Sequence, residues 1–226
     1  MDLGQCAILV CMENRRPFPK AVLFDLLTAL LDSWTIWNAA AGSEAQGRAW
    51  RAEYLRLTYG CGAYVPYEEL VAQAAQGVGL EAGAVHKLEQ LWPDLPVWSG
   101  AQQALDAIEG RALLGIVTNC SKRLGRLAAE RLRTRWDCVV TAEDSGYFKP
   151  DPRPYRIALQ TLGVSAEETA FVAGSGYDLI GTHAVGLRTY WHNRVGLVRP
   201  DAALPPDFES RSLDQLPSWL ENAECK

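Results

Sequence analysis

The chain has 226 residues, of which 48% are hydrophobic and 22% are charged. This composition is typical of a globular protein with one large domain or two modest ones. The net charge of -5 and the pI of about 5.3 argue against a nucleic-acid surface, because such surfaces depend on clustered lysine and arginine side chains. No nucleic-acid partner is therefore expected.

The N-terminal residues and the cysteines predict a cytoplasmic protein without a membrane span. The apolar run "CAILVCM" is too short to cross a bilayer and has neither a basic flank nor a small-residue cleavage site. The six cysteines form no CxxC pair and have no metal-ligand spacing, which is typical of reduced thiols. We interpret residues 1–19 as an N-terminal extension without an assigned role.

Five apolar runs are typical of buried β-strands. They are "AVLFDLL" (21–27), "ALLGIVT" (112–118), "CVVTA" (138–142), "TAFVAGS" (169–175) and "LRTYWH" (187–192). Helical stretches such as "KRLGRLAAERLRTRW" and "PYRIALQTLG" lie between most of them, and residues 21–34 begin as a strand and end as a helix. This alternation predicts an α/β fold in which helices cover both faces of a parallel sheet.

The gap after the first strand breaks this rhythm. Residues 34–98 contain amphipathic helical patterns such as "GRAWRAEYLRLTYG" and "YEELVAQAAQGVGL", and no strand pattern. We therefore predict a helical cap over residues 34–98, inserted into a core that comprises residues 20–33 and 99–226.

Polar residues follow the predicted strands at their carboxyl ends, where open parallel sheets bind ligands. These residues are Asp25, Thr118, Asn119, Lys149, Ser175 and Asp178. Each has an ordinary alternative role, because the acids and the serine could cap helices and the lysine could be solvated. Their occurrence after several different strands favours a functional site.

The motifs "FDLLTALLDS", "IVTNCS", "YFKPDPRPY" and "FVAGSGYD" resemble, in order and spacing, those of the haloacid dehalogenase superfamily. This resemblance extends from about residue 21 to residue 219. It implies a Rossmann-like core, a helical cap and nucleophilic catalysis by Asp25.

Departures from the phosphatases of that superfamily indicate which chemistry to expect. Phosphatases carry a second aspartate two residues after the nucleophile to protonate the leaving alkoxide, and here that position is Leu27. Their early metal-binding acids are replaced by Ala173 and Gly174. A halide leaves without a proton, so these changes favour dehalogenation. No cofactor is expected to be required, although weak Mg²⁺ binding by Asp25 and Asp178 stays open.

The L-2-haloacid dehalogenase branch resembles the chain more closely. Its acidic loop has an aromatic residue directly before an aspartate, as in Tyr177-Asp178, and its lysine is followed six residues later by a tyrosine, as Lys149 is by Tyr155. A Trp-Arg pair in its cap matches Trp50-Arg51.

In that branch the cap arginine receives the departing halide and aromatic residues line the pocket. The resemblance therefore implies substrate-binding roles for Arg51, Tyr155 and Tyr177. Tyr54, Tyr59 and Tyr64 are candidate pocket walls, with Tyr64 included among the substrate-binding residues. The alternatives are an exposed helix position for Arg51 and core packing for at least one of these three tyrosines.

Two motifs depart from this branch as well. The branch usually keeps Gly-Thr at the third and fourth positions after the nucleophile, where this chain has Thr28 and Ala29. Ser175 stands in place of an asparagine, and Ala173 in place of a serine.

The expected mechanism is covalent, with attack by Asp25 on a small 2-halo acid or a related electrophile to form an aspartyl ester. Lys149 would keep Asp25 ionised, and Asp178 with Ser175 would position the hydrolytic water. Thr118 and Asn119 would bind the substrate carboxylate or hold Asp25.

The expected partner is a small-molecule substrate, and a homodimer is a further expectation. Two alternatives stay open. One is a Mg²⁺-dependent phosphatase or phosphonate hydrolase, for which Lys87 is the only cap lysine between Trp34 and Trp98. The other is a non-catalytic binding protein with the same fold.

Overall fold

A six-stranded parallel sheet lies at the centre of the computed structural model, which describes residues 17–222. Its strand order is β3-β2-β1-β4-β5-β6. The strands are β1 (Ala21–Phe24), β2 (Leu113–Thr118), β3 (Cys138–Thr141), β4 (Thr169–Ala173), β5 (Arg188–His192) and β6 (Phe208–Ser210). Because all neighbouring pairs are parallel, the carboxyl ends of the strands share one edge of the sheet, and the predicted α/β class is confirmed.

The alternation of side chains along β1 gives the sheet its two apolar faces. Val22 and Phe24 pack into one hydrophobic cluster, and Leu23 packs into a second. All residues of β1 are fully buried, as is usual for a central strand with helices on both faces. Asp25 therefore emerges from the middle of the sheet edge.

Ten α-helices and one short 3₁₀ helix (Trp92–Asp94) accompany the sheet within the described residues. The α-helices are α1 (Ser33–Ala41), α2 (Glu44–Gly60), α3 (Tyr67–Gly77), α4 (Ala82–Leu91), α5 (Ala101–Asp106), α6 (Lys122–Ala129), α7 (Ala142–Ser145), α8 (Pro152–Leu162), α9 (Asp178–Val185) and α10 (Leu216–Glu221).

The segment between β1 and α5 is helical. It contains α1 to α4, and no strand of the main sheet is found in it. At its base the chain leaves and returns side by side, since Trp98 N donates to Leu30 O at 2.9 Å and Asp32 N donates to Pro96 O at 2.8 Å. These contacts fit the proposed cap over residues 34–98, whose boundaries stay a prediction.

Three local features differ from the sequence expectations. The helix after Asp25 begins only at Ser33, because residues 26–30 form a turn around the carboxylate. Helix α6 ends at Ala129, well before the end of the predicted "KRLGRLAAERLRTRW" stretch. Strand β6 was not predicted, because its three residues are too few to show a pattern.

Other expectations concern the ends of the chain, the cysteines and the membrane. Most of the proposed 1–19 extension lies outside the described residues. Among residues 17–222, Cys61, Cys120 and Cys138 have free thiols. No helix in this part of the chain has the length and apolar character needed to cross a membrane.

Candidate active site

The Asp25 carboxylate is held by the turn that follows it. Its Oδ2 atom accepts hydrogen bonds from Thr28 N at 2.9 Å, Thr28 Oγ1 at 2.6 Å and Ala29 N at 3.1 Å. The threonine hydroxyl therefore reaches the carboxylate from the third position after it. Asp25 is 6% exposed, so these donors replace water at a buried anion.

Lys149 links the two acids of the sheet edge. Its Nζ atom lies 2.8 Å from Asp25 Oδ1 and 2.8 Å from Asp178 Oδ1. Asp178 Oδ2 accepts hydrogen bonds from Gly174 N at 3.3 Å and Ser175 N at 3.2 Å. All three charged side chains are buried, so the lysine supplies the counter-charge that solvent would otherwise provide.

The three groups differ in their response to burial. Burial opposes ionisation of Asp25, but the charge and hydrogen bond of Lys149, with the Thr28 hydrogen bonds, outweigh it and lower the pKa of Asp25. Burial raises the pKa of Asp178, and the nearby charge of Asp25 acts in the same direction against the lowering effect of Lys149. Burial acts to lower the pKa of Lys149, yet the two carboxylates raise it overall. Lys149 is therefore held as a cation and Asp25 as an anion.

Asn119 fixes the loop that carries Lys149. Asn119 Nδ2 donates to Lys149 O at 2.9 Å, and Asn119 Oδ1 accepts from Lys149 N at 2.7 Å. The Thr118 hydroxyl lies 3.8 Å from the Cys120 thiol. Among the described residues, neither side chain forms a hydrogen bond with Asp25. Asn119 lines the cavity above Asp25 as well as fixing this loop, whereas Thr118 does not line it.

Tyr155 supports Asp178 from the protein interior. Its hydroxyl donates to Asp178 Oδ1 at 3.3 Å, and the ring is fully buried. A Cβ atom at Gly181 would lie 2.4 Å from this ring, so glycine is required there for the close approach. Tyr155, which was expected to bind substrate, contacts Asp178 and does not line the cavity above Asp25.

A cavity of about 190 Å³ opens above the Asp25 carboxylate. Core residues, helical residues and a loop after β5 contribute to its walls. The lining residues are Asp25, Leu27, Thr28, Trp34, Arg51, Tyr54, Leu55, Tyr59, Asn119, Lys149, Ser175, Gly176, Tyr177, Asp178, Leu197 and Val198. It combines one cation from the helical segment with an apolar wall, which is the usual composition of a small-molecule site.

Arg51 is the cationic group of the upper wall. It is 8% exposed, its Nη1 atom donates to Ser33 Oγ at 2.7 Å, and its guanidinium carbon lies 3.9 Å from the centre of the Trp34 ring. Burial lowers the pKa of Arg51, and the charge of Asp25 opposes this effect. An arginine titrates far above neutral pH, so this side chain remains a buried cation.

The candidate tyrosines occupy three kinds of position. Tyr54 lines the cavity, and its hydroxyl donates to Asn119 O at 3.2 Å. Tyr59 stacks on Tyr177 at 4.1 Å between ring centres, and both rings line the cavity. Tyr64 does not line it, because its ring packs on Phe148 at 5.3 Å and its hydroxyl accepts a hydrogen bond from a backbone amide. The structure therefore gives Tyr64 no contact with the cavity.

Four lining residues were not found from the sequence: Trp34, Leu55, Leu197 and Val198. Leu55 lies one helical turn after Arg51, a spacing that could have indicated a shared face. Trp34 follows the nucleophile closely in the chain, but no pattern connects it with Arg51. The loop residues Leu197 and Val198 have no sequence signal.

The residues of this edge do not fit a resident Mg²⁺ ion. The ammonium of Lys149 already bridges the carboxylates of Asp25 and Asp178, and no cluster of three potential metal ligands occurs among residues 17–222. A third acid at position 174 would clash, because a Cβ there would lie 2.2 Å from Ala29 N. A hard cation prefers several oxygen ligands, which this site does not offer.

Comparisons with known proteins agree with this geometry. A model of the haloacid dehalogenase-like hydrolase family matches residues 19–186. The relative named (S)-2-haloacid dehalogenase H-109, from Pseudomonas putida, is 26% identical over 218 residues, covering 89% of this chain and 97% of that protein. (S)-2-haloacid dehalogenase 4A from Burkholderia cepacia is 28% identical over 207 residues, covering 84% of this chain and 87% of the relative.

A solved structure shows the same fold. The L-2-haloacid dehalogenase from Xanthobacter autotrophicus, with chloropropionic acid covalently bound, superposes with a TM-score of 0.78 at 21% identity and covers 89% of this chain and 98% of that one. Because the family model spans most of the sequence, the chain belongs to the haloacid dehalogenase-like hydrolases and is an enzyme of that family.

Proposed function

We propose that the protein hydrolyses small (S)-2-halo acids through an ester on Asp25. The names of the full-length relatives support this substrate class. The single observation that carries the proposal is the pairing of an ionised, buried Asp25 with the apolar Leu27 in the same cavity wall.

Leu27 separates this chemistry from phosphate-ester hydrolysis. It lies in the cavity at the position where the related phosphatases carry their acid, and no carboxyl group takes its place in the described lining apart from Asp25 and Asp178. Loss of a positioned general acid costs roughly 10²–10⁴-fold when the leaving group needs a proton. A halide needs none, so leucine carries no such cost.

The first step is an in-line displacement by Asp25. Oδ2 already accepts three hydrogen bonds, whereas Oδ1 accepts one from Lys149, so Oδ1 retains the more available lone pair. This oxygen forms a bond to the substrate α-carbon as the carbon–halogen bond breaks. The bonding electron pair leaves with the halide, which binds at the Arg51 guanidinium.

The second step hydrolyses the ester with water. Formation of the ester removes the negative charge of Asp25, which is one of the causes that raise the pKa of Asp178. Asp178 is then more readily ionised and accepts a proton from water as the water attacks the ester carbonyl. As the tetrahedral intermediate collapses, the bond from the Asp25 carbonyl carbon to the substrate-derived oxygen breaks and Asp178 returns its proton to that oxygen. This frees the 2-hydroxy acid and regenerates the Asp25 carboxylate, while Lys149 remains protonated.

The two alternatives have less support from the site. Lys87, the cap lysine that a phosphonate hydrolase would need, is exposed and does not line the cavity. A binding protein would not need a nucleophile held by three donors and a lysine. An activity panel on 2-halo acids and phosphate esters distinguishes both alternatives from dehalogenation.

The test is an activity panel with EDTA. The protein should hydrolyse 2-chloropropionate without added metal, preferring the S enantiomer, and should leave p-nitrophenyl phosphate intact. Leu27→Asp should make dehalogenation no faster, because it adds a like charge beside the nucleophile. Mg²⁺-dependent phosphatase turnover with no action on any 2-halo acid would overturn the proposal. Inactivity on both substrate classes would favour the binding protein.

Location, assembly and cofactor use belong to the same proposal. A cytoplasmic location, a homodimer and independence from any cofactor are expected. Cell fractionation, light scattering and the EDTA arm of the panel test these expectations in turn.

A further inference from the structure

Within residues 17–222, Arg51 is a buried cation without a carboxylate partner. Among the described residues its side chain has one hydrogen bond, to the Ser33 hydroxyl, and no salt bridge. Ser33 is fully buried, and Trp34, the next residue, lies half-buried in the cavity wall with its ring against the guanidinium. A buried charge normally needs a counter-charge, so this arrangement calls for an explanation.

Neutral contacts can hold an arginine without cancelling its charge. The indole face attracts the guanidinium through the ring quadrupole, and a hydroxyl oxygen accepts one of its five N–H groups. A carboxylate in the same place would bring the net charge of the pair to zero. Ser33 and Trp34 therefore fix the position of the guanidinium and leave its full positive charge directed at the cavity.

We propose that Ser33 and Trp34 are positioning residues of the halide site, which hold Arg51 by neutral contacts so that its charge is available to the leaving anion. This inference rests on the proposed function for the identity of the anion. Both residues act through Arg51, and Ser33 does not itself line the cavity.

The test compares five variants with the wild type. They are Ser33→Ala, Ser33→Asp, Trp34→Phe, Trp34→Leu and Arg51→Gln. Ser43→Asp is a matched control for the added carboxylate, because Ser43 is an exposed N-cap of another helix, where aspartate is equally suitable. Trp219→Leu is a matched control for loss of an arginine-stacked indole, since Trp219 lies 4.2 Å from Arg188 far along the chain from the site.

The decisive readout is halide binding, measured by ³⁵Cl line broadening and by bromide inhibition of turnover. Ser33→Asp should weaken halide binding at least about tenfold by pairing with the guanidinium, and Trp34→Leu about three- to tenfold. Ser33→Ala should weaken it about threefold. Trp34→Phe should stay within about twofold because an aromatic face is kept. Both controls should match the wild type, and Arg51→Gln should abolish the signal.

A leaving-group comparison separates positioning from general damage. For Trp34→Leu, kcat should fall more with 2-chloropropionate than with 2-bromopropionate, because the poorer leaving group depends more on the cation. Circular dichroism identifies any variant that does not fold. If Ser33→Asp does not fold, Ser33→Ala and Trp34→Leu still test the positioning role.

The outcomes of the two proposals are distinguishable. Unchanged halide binding in folded Ser33→Asp, Ser33→Ala and Trp34→Leu proteins would overturn the positioning role even if the wild type is an active dehalogenase. Failure of the wild type to hydrolyse any 2-halo acid would overturn the proposed function. If halide binding to that inactive protein is still weakened by the Arg51, Ser33 and Trp34 variants, the proposed anion site stands although the proposed function fails.

Discussion

The floor and the roof of the cavity handle buried charge in opposite ways. The floor consists of Asp25, Lys149 and Asp178, whose side chains form two salt bridges of 2.8 Å. The roof consists of Arg51 with Ser33 and Trp34, two neutral residues that hold the cation. In the floor each charged side chain therefore contacts one of opposite charge, whereas the roof cation forms no salt bridge within residues 17–222.

This difference corresponds to the two tasks of the proposed displacement. A nucleophile must stay ionised while buried, which the floor achieves by pairing Asp25 with Lys149. The group that accepts a departing anion must keep its charge available, which requires partners without charge. The two regions together make the cavity suitable for displacement of an anion from a small molecule.

Removal of the Lys149 ammonium from the floor should cause the largest loss of stability. Lys149→Met leaves two unpaired carboxylates in the interior, which costs about 3–5 kcal/mol of unfolding free energy. Urea denaturation measures this loss. The matched control is Lys122→Met, which removes a partly exposed lysine 3.3 Å from Asp144 and should cost at most about 1 kcal/mol.

The pH dependence of Lys149→Met should have a definite sign. In the wild type the folded-state pKa of Asp25 is lowered, so its stabilising contribution is present above the unfolded-state pKa and is lost as pH falls through the folded value. Without Lys149, burial raises that pKa, and folding then favours the protonated acid. The variant should therefore lose stability relative to the wild type as pH rises from the unfolded-state pKa of Asp25 through the raised folded-state pKa. A difference in unfolding free energy between variant and wild type that stays constant across this pH range would contradict the pairing of Lys149 with Asp25.

Asp178→Asn should separate the two chemical steps. The displacement by Asp25 does not need this acid, so the ester forms, while hydrolysis slows about 10²–10⁴-fold without the base. Mass spectrometry of acid-quenched protein should show the added acyl mass on the peptide that contains Asp25. Equal slowing of ester formation and ester hydrolysis would contradict this division of roles.

A smaller loss of stability is expected when a methyl group is added at Gly174, which packs against the turn that holds Asp25. A Cβ at position 174 would lie 2.2 Å from Ala29 N and 2.3 Å from Thr28 Oγ1, the groups that hold Asp25. Gly174→Ala should therefore cost about 1–3 kcal/mol and reduce turnover by displacing the turn. Gly83→Ala is the control, because nothing lies within 4 Å of its Cβ in helix α4 and alanine should stabilise that helix by up to about 1 kcal/mol. Equal unfolding midpoints for the two variants would contradict the steric argument.

The floor was more accessible to prediction from the sequence than the roof. Asp25, Lys149 and Asp178 follow from the rule that parallel strands bring their carboxyl ends to one edge, together with the family motifs. Five of the six strands were also predicted. These features depend on periodic or short-range patterns, which a single sequence carries.

The roof depends on contacts between separate helices. The Ser33–Arg51 hydrogen bond and the Trp34 stack are set by how α1 packs on α2, and no spacing rule connects the residues. Tyr64 was expected in the pocket because it is aromatic and lies in the helical segment, yet its ring packs on Phe148 instead. The apolar character of an aromatic side chain indicates that it will be at least partly buried, but it does not indicate which neighbours the ring will contact.

A single turnover in H₂¹⁸O measures the covalent chemistry most directly. With enzyme in excess over 2-chloropropionate, the first ¹⁸O atom should appear on the Asp25 carboxylate, because water attacks the ester at the enzyme's own carbonyl carbon, and the released 2-hydroxy acid should be unlabelled. Asp25→Asn, which lacks the carboxylate nucleophile, should show no turnover. Label in the first released product with none on Asp25 would contradict the aspartyl ester, since water would then have attacked the substrate directly.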